Sequence, residues 1–510
     1  MLMSIPVKGF INTNIYASFK PIKKANSMVI VGNKILYIGK QEVAEILTKK
    51  LNGEIIDLKG KTVIPAFIDS HIHLDSLAIF LNSLDLKEVK SIDELKNKLK
   101  EYYEKNKELS FIYGRGWDQE KLGRWPNKND LDEVVKEKPV FLERICGHAG
   151  VVNSNLLEIL EKNEFVKENG IVLENALQKI RKMMRYNEDE MIKFFQNLFN
   201  YLLSFGITTC GFVSCDIFSY NILRKMNEKG ILPIRIKVYL NYDSLKHIKG
   251  KEIEGNEFLK VLGVKIFADG SLGARTAALS KPYNDDKENK GILFYKREEL
   301  VKIIKEVNEL NLQLAIHAIG DEAIDVVLNS LKQFKNIERS RHRIEHASVI
   351  REEQIEMISK LKICVCVQPH FIKSDWWVLK RLGEERAKWI YPLKSMINKN
   401  LKLGFSTDAP VEPVNPFETI YVAVKRDNVD LLKYTKEERI SLEEALHFYT
   451  YGSSYLLFEE ENLGSLSSGK IADFIVLDKD PFKVSLEELK NIKVLMTFVG
   501  GELKYKANNK

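Results

Sequence analysis

Cysteine is scarce in this chain: five among 510 residues, at Cys146, Cys210, Cys215, Cys364 and Cys366. An odd, sparse set does not make a disulfide framework. Cys364 and Cys366, two apart in a short apolar run, read as buried thiols rather than metal ligands. Long hydrophobic runs are missing too. No segment approaches the roughly 18 apolar residues of a membrane span, and Met1 to Lys8 lack the basic stretch and apolar core of a secretory signal. The expected setting is therefore cytoplasmic, with no membrane partner. Charge of one sign is also lacking. Lys and Arg outnumber Asp and Glu by 78 to 71, a net +7, and lysines interleave with glutamates, as in 87–107. That is a solvated surface, and it argues against a nucleic-acid partner. Repeats, low-complexity tracts and Gly/Ser linkers are not found.

What is present is the composition of a large globular protein, 45% hydrophobic and 29% charged, long enough for one large domain with accessories. Short runs rich in Val, Ile and Phe alternate with longer amphipathic stretches, the pattern of βα units around a parallel sheet. The runs fall at 62–67, 206–215, 234–240, 262–267, 312–316, 343–345, 363–367 and 401–406. Eight is the number a (β/α)₈ barrel requires. Helical spacing of apolar residues marks 187–205, 298–310 and 321–334, with Gly206 as a stop for the first.

Two regions break this rhythm. Residues 1–61 read as short strands at 10–16, 27–31, 34–38 and 54–57, and the C-terminal part reads likewise at 474–477, 494–499 and 502–505. Both ends are expected to pair into one small β-sandwich, 1–61 with 455–510, flanking a barrel of residues 62–454. About 130 residues separate the first two barrel strands, too many for a simple crossover. An inserted α/β subdomain is expected at 84–185.

The sharpest local motif is Asp69-Ser70-His71-Ile72-His73-Leu74. Histidines at i and i+2 after a strand face the same way, and barrel active sites form at that end. Neutral imidazoles placed there suit a divalent ion. Polar residues in or just after later strands join them: Lys265 within an apolar run, His317, His346 and Asp408. Each alone has an ordinary structural explanation as a bonded histidine, a snorkelling lysine or a helix cap. Together they fall on strands one, four, five, six and eight, near one end, and a site is the better reading.

The order of these residues resembles the metal-dependent amidohydrolase superfamily. Further motifs are similar to its N-substituted formamide deformylase branch: Gly114-Arg115-Gly116-Trp117-Asp118, Arg124-Trp125-Pro126, Pro139-Val140 with His148 and Asn153-Ser154, and Ala268-Asp269-Gly270-Ser271-Leu272-Gly273. Gln368-Pro369-His370, Ser406-Thr407-Asp408-Ala409-Pro410-Val411 and the closing stretch from Gly464 to Asp473 extend the likeness to nearly the whole chain. One departure is the valine pair in Gly147-His148-Ala149-Gly150-Val151-Val152-Asn153, where the branch often has an aromatic; this would alter a pocket wall.

The resemblance implies the barrel, the sandwich and the insertion. It also implies a hydrolase that cleaves a C–N bond of a small molecule, with His71, His73, Lys265, His317, His346 and Asp408 holding one or two divalent ions, zinc by default. Lys265 would serve as a carbamate, since burial in an apolar strand lowers its pKa and frees the amine. The alternative is a single ion on the His71 side with Lys265 unmodified. A metal-activated hydroxide would attack, Asp408 would shuttle the proton, and His148 would help polarise the carbonyl. For the substrate, Trp117, Asp118, Arg275 and His370 are the candidates, with Trp125, Trp376 and Trp377 as further wall residues. Arg275 could bind a carboxylate or form a structural salt bridge. Asp75 is the expected partner orienting a histidine, and Glu345 should point away from His346 by strand alternation. A lactonase or esterase on the same site and a non-catalytic barrel are the competing functions. A homodimer is compatible with the sequence and not specified by it.

Overall fold

Residues 5–160, 165–184, 186–248 and 255–508 are described by a computed structural model. The chain forms two compact units, Met1–Leu74 with Phe199–Lys510, and Asp75–Leu198.

The first unit is built on eight parallel strands: β1 (Phe67–Ile72), β2 (Ile207–Cys215), β3 (Arg235–Asn241), β4 (Leu259–Phe267), β5 (Gln313–Ala318), β6 (Arg343–His346), β7 (Cys364–Val367) and β8 (Lys402–Phe405). Each pairs with its neighbour in sequence order. Parallel order, with near-complete burial of every strand, is what the continuous apolar runs require. The sheet nearly closes. Ser70 Oγ of β1 donates to the Phe405 carbonyl of β8 at 3.0 Å, and the Asp408 N–H donates to the His71 carbonyl at 2.9 Å. Helices Glu188–Ser204, Arg297–Glu309 and Asp321–Leu331 follow the expected periodicity, and the second buries Leu300, Ile303, Ile304 and Val307. Gly206 ends the first of them at φ +76, where a side chain would meet Ile475 at 2.8 Å. Among the described residues no helix is long and apolar enough to cross a membrane.

The first barrel strand is not the run at 62–67. Thr62–Pro65 pairs antiparallel with Phe474–Leu477 and parallel with Asn14–Phe19, in a six-stranded sheet of the flanking sandwich. The apolar stretch is two strands in tandem, divided at Ala66, whose N–H donates to the Asp473 carbonyl. Hydrophobicity marks both pieces but cannot say to which sheet each belongs. His71 consequently lies inside a barrel strand and not after one. The run at 10–16 likewise splits into Val7–Ile11 and Asn14–Phe19, because Asn12 adopts φ +51 and turns the chain from one sheet to the other.

The four- and six-stranded sheets bury one common core, in which Phe10 meets Phe474 edge-on at 5.1 Å and Phe474 stacks on Phe498 at 4.4 Å. Arg235, wholly buried at the start of β3, is clamped by Asp473 and Glu257 and ties this core to the barrel.

The second unit is a five-stranded sheet, Leu84–Asp85, Ile112–Trp117, Val140–Arg144, Ala149–Val152 and Ile171–Leu173, with helix Ile92–Lys105 packed by Leu95 and Leu99. Ser91 caps that helix, accepting from the Glu94 N–H.

Candidate active site

The C-terminal ends of β1, β4, β5, β6 and β8 bring six side chains to one cavity of about 400 Å³: His71, His73, Lys265, His317, His346 and Asp408. The period of two in β1 places Asp69, His71 and His73 on one face. Two backbone hydrogen bonds, Asp408 N–H to the His71 carbonyl and His73 N–H to the Ala409 carbonyl at 3.0 Å, lock the first strand to the loop after the last.

Outer partners orient the imidazoles. His71 Nδ1 contacts the Glu345 carboxylate, so Nε2 faces the cavity. His346 Nδ1 donates to Gln368 Oε1 at 2.7 Å, and Gln368 Nε2 in turn donates to Ser406 Oγ at 2.9 Å. His317 is turned the other way: its Nε2 donates to the Gly270 carbonyl at 2.9 Å, which leaves Nδ1 for the cavity. These tautomers follow from the partners each ring meets.

The free atoms converge. His71 Nε2 and His73 Nε2 both lie 3.1 Å from Asp408 Oδ1. His71, His346 and Asp408 can each offer a ligand atom with all three within 4.8 Å of one another. Two of these atoms, His71 Nε2 and Asp408 Oδ1, are buried without a hydrogen-bond partner, as is Lys265 Nζ. Lone pairs that face each other at this distance, shielded from water, need a cation between them. The donor set, imidazole nitrogens and carboxylate oxygen, fits a divalent metal ion of the zinc, manganese or iron type.

Electrostatics agree with that reading. Burial would raise the Asp408 carboxyl, yet His71 and His73 pull it well below the carboxylate range, so it stays ionised. Burial lowers His317 to about 3 and holds His346 well below its ordinary value, so both rings are neutral. Burial likewise lowers Lys265 to about 8. At Glu345, burial is outweighed by Arg343 and His71, and the carboxylate persists beneath His71. Cys366 also reaches this floor, where Ser70 Oγ and Ser406 Oγ lie at 3.2 and 3.3 Å, but burial pushes its thiol upward and keeps it protonated.

A family model described as "Amidohydrolase family" matches residues 54–505. The chain belongs to the amidohydrolase family. It is 30% identical to the protein YtcJ of Bacillus subtilis over 478 residues, 89% of this chain and 90% of that one. It is 25% identical to N-substituted formamide deformylase of Arthrobacter pascens over 533 residues, 97% of each. Among solved structures it is similar to an uncharacterized metal-dependent hydrolase from Pyrococcus furiosus, with a TM-score of 0.86 and 41% identity over 94% of this chain and all of that one.

The remaining sequence-selected residues of this amidohydrolase occupy varied places. Arg275 grips Asp285 by a two-pronged contact, Nη2 at 3.0 Å and Nε at 3.2 Å, so the structural salt bridge is the arrangement found. His370 is buried, with Nδ1 on Glu412 and Nε2 lacking a partner. Trp377 lines the cavity, whereas Trp376 is 72% exposed. In the second unit, Trp117 is wholly buried and donates from its indole to the Leu142 carbonyl, which makes it a core residue there. Asp118 caps a short helix and lies 3.2 Å from Arg144. His148 is mostly exposed, 3.4 Å from Glu174. Of the valine pair that departs from the branch pattern, Val151 packs into the same core as Trp117.

Sequence reasoning missed two partners. Strand alternation turns Glu345 away from His346, but His346 takes φ +74, so alternation stops applying at that point. Glu345 contacts His71, and His346 lines the cavity. Asp75 accepts from the Ser76 N–H at 2.6 Å. Gln368 carried a signal, the Gln368-Pro369-His370 motif, but nothing local pointed to His346.

Proposed function

We propose that this amidohydrolase is a metal-dependent enzyme cleaving the C–N bond of a small-molecule amide or formamide, with zinc as its ion and a carboxylated Lys265 between two of them. The observation that carries the reading is the convergence of His71 Nε2 and His73 Nε2 on Asp408 Oδ1, beside a buried Lys265 amine with no partner. A pKa lowered to about 8 supports carbamate formation, because the neutral amine is the form that reacts with carbon dioxide. Two similar proteins, an N-substituted formamide deformylase and a metal-dependent hydrolase, point the same way.

His71, His73 and Asp408 would hold one ion, and His317 with His346 the other, with Lys265 between. A divalent ion bound there brings the pKa of a coordinated water near neutrality and polarises a carbonyl. The protein's own groups do the rest. Glu345 and Gln368 keep His71 and His346 in the tautomers that present a lone pair. Asp408, held ionised, takes the proton of the attacking water and returns it to the departing nitrogen. The scarcity of cysteine, five in 510 residues, supports a cytoplasmic location.

The test is metal content by inductively coupled plasma mass spectrometry on protein purified without chelator, beside the His71→Ala variant. About two equivalents, falling in the variant, is the outcome expected of this N/O ligand set with a position left open for water. One equivalent would remove Lys265 as a bridge. None after reconstitution would sink the reading in favour of a non-catalytic barrel. Turnover of N-formyl and N-acyl amines against a lactone panel then fixes the bond cleaved.

A further inference from the structure

The cavity wall away from the ligands has one sign of charge. Among the described residues lining it, the nitrogen-bearing groups are Lys265 and the four histidines of the ligand set, while Asp375 faces the same space on the loop after β7. Phe371, Trp377 and Tyr391 line that side with it. Phe371 packs 6.3 Å from the His346 ring, so this wall adjoins the ligand cluster.

The guanidinium groups nearby are already committed. Arg275 and Arg381 both clasp Asp285, and Arg381 also donates to the Gly273 carbonyl at 3.3 Å while lying over the Trp377 ring. Arg386 is spent on the carbonyls of Leu382, Lys281 and Pro282. Lys373 and Lys380 of the same loop are exposed and do not line the cavity. A substrate carboxylate would therefore find no cation on this wall outside the ligand cluster. It would instead meet Asp375, which accepts a hydrogen bond from the Tyr391 hydroxyl. Glu412 lies close enough to add to the negative potential, and burial raises Asp375 to about 6, which still leaves it ionised at neutral pH. A carboxylate on a wall shared with Phe371, Trp377 and Tyr391 is complementary to an organic cation.

We propose that this wall selects substrates whose amine half ends in a positively charged nitrogen, such as amides of diamines, and rejects N-acyl amino acids, whose tail is a carboxylate. Catalytic use of the preference rests on the hydrolase reading above, but the binding preference does not.

The two are separated by titrating the metal-loaded protein calorimetrically with methanesulfonamides of cadaverine, pentylamine and aminovalerate. These are matched in length, not cleaved, and end in a positive, neutral and negative group. The cadaverine compound should bind about tenfold more tightly than the pentylamine one, with the aminovalerate compound weakest. Asp375→Asn should shrink the tenfold ratio to about twofold, and Asp375→Glu should restore most of it. Equal binding of the three, a ratio that survives Asp375→Asn, or no binding at all would overturn the proposal. N-formyl derivatives of the same amines are assayed in parallel. Turnover without charge preference would remove this inference alone, and preference without turnover would remove the hydrolase reading alone.

Discussion

Glu345→Gln is the most informative single change, because Glu345 serves two buried groups at once. Its carboxylate meets His71 Nδ1, and its other oxygen lies 2.6 Å from Arg343 Nε, with all three side chains wholly buried. Glutamine keeps the shape and removes the charge. His71 then loses the anionic acceptor that fixes its tautomer, and loss of such a partner weakens metal affinity by about 10- to 100-fold. Arg343 keeps the Ser70 carbonyl at 3.0 Å and the Tyr239 ring at 4.2 Å, so its charge is only partly orphaned. The stability loss should thus sit at the low end for a broken buried pair, about 3 kcal/mol. For a unit of this size that is a fall of about 4 °C in the melting temperature of metal-free protein. Competition with a chromogenic chelator reads the first effect, and circular dichroism of the apo form reads the second. Affinity within about twofold of wild type, well inside the range for a lost ligand partner, would refute the claim that Glu345 orients a ligand. An unchanged melting temperature would refute the buried pair.

Lys265→Ala should lose bound metal and more than about 100-fold of activity, since a ligand counts for more than a ligand's partner; added formate or acetate should restore part of both, and normal activity in this variant would exclude the carbamate. His342 lies outside the cavity, accepting from the Leu314 N–H at 2.9 Å and donating to Asn308 Oδ1 at 2.9 Å, and burial lowers it to about 4. Its folded pKa lies below the unfolded value near 6.5, so the unfolded chain takes up the proton first. Stability is intact above about 6.5 and is lost as the pH falls toward 4, by about 3 kcal/mol for this group. Urea midpoints of metal-free protein at neutral and acid pH measure that fall, and His342→Gln should reduce it; an equal fall in both proteins would count against the assignment.

Periodicity and motif order alone determined the barrel, the helices on its outside and the strand-end positions of the six candidate ligands. They could do so because parallel strands buried on both faces leave continuous apolar runs, and a polar residue interrupting such a run is conspicuous. His71 and His73 share a face by spacing, and Lys265 stands out in Gly263 to Phe267 for the same reason. Tertiary structure decided everything that depends on partners distant in sequence. The run from Thr62 to Ile68 is continuously apolar apart from its first residue, so only pairing with Phe474–Leu477 reveals where the sandwich ends and β1 begins. Glu345 meets His71 across 274 positions, and the positive φ of His346 breaks the alternation that spacing alone predicts. Trp117 looks like a wall residue until it is seen buried, and Arg275 looks available until Asp285 occupies its fork. A side chain's chemistry is written in its type, but its availability is set by what the fold places within about 3 Å of it.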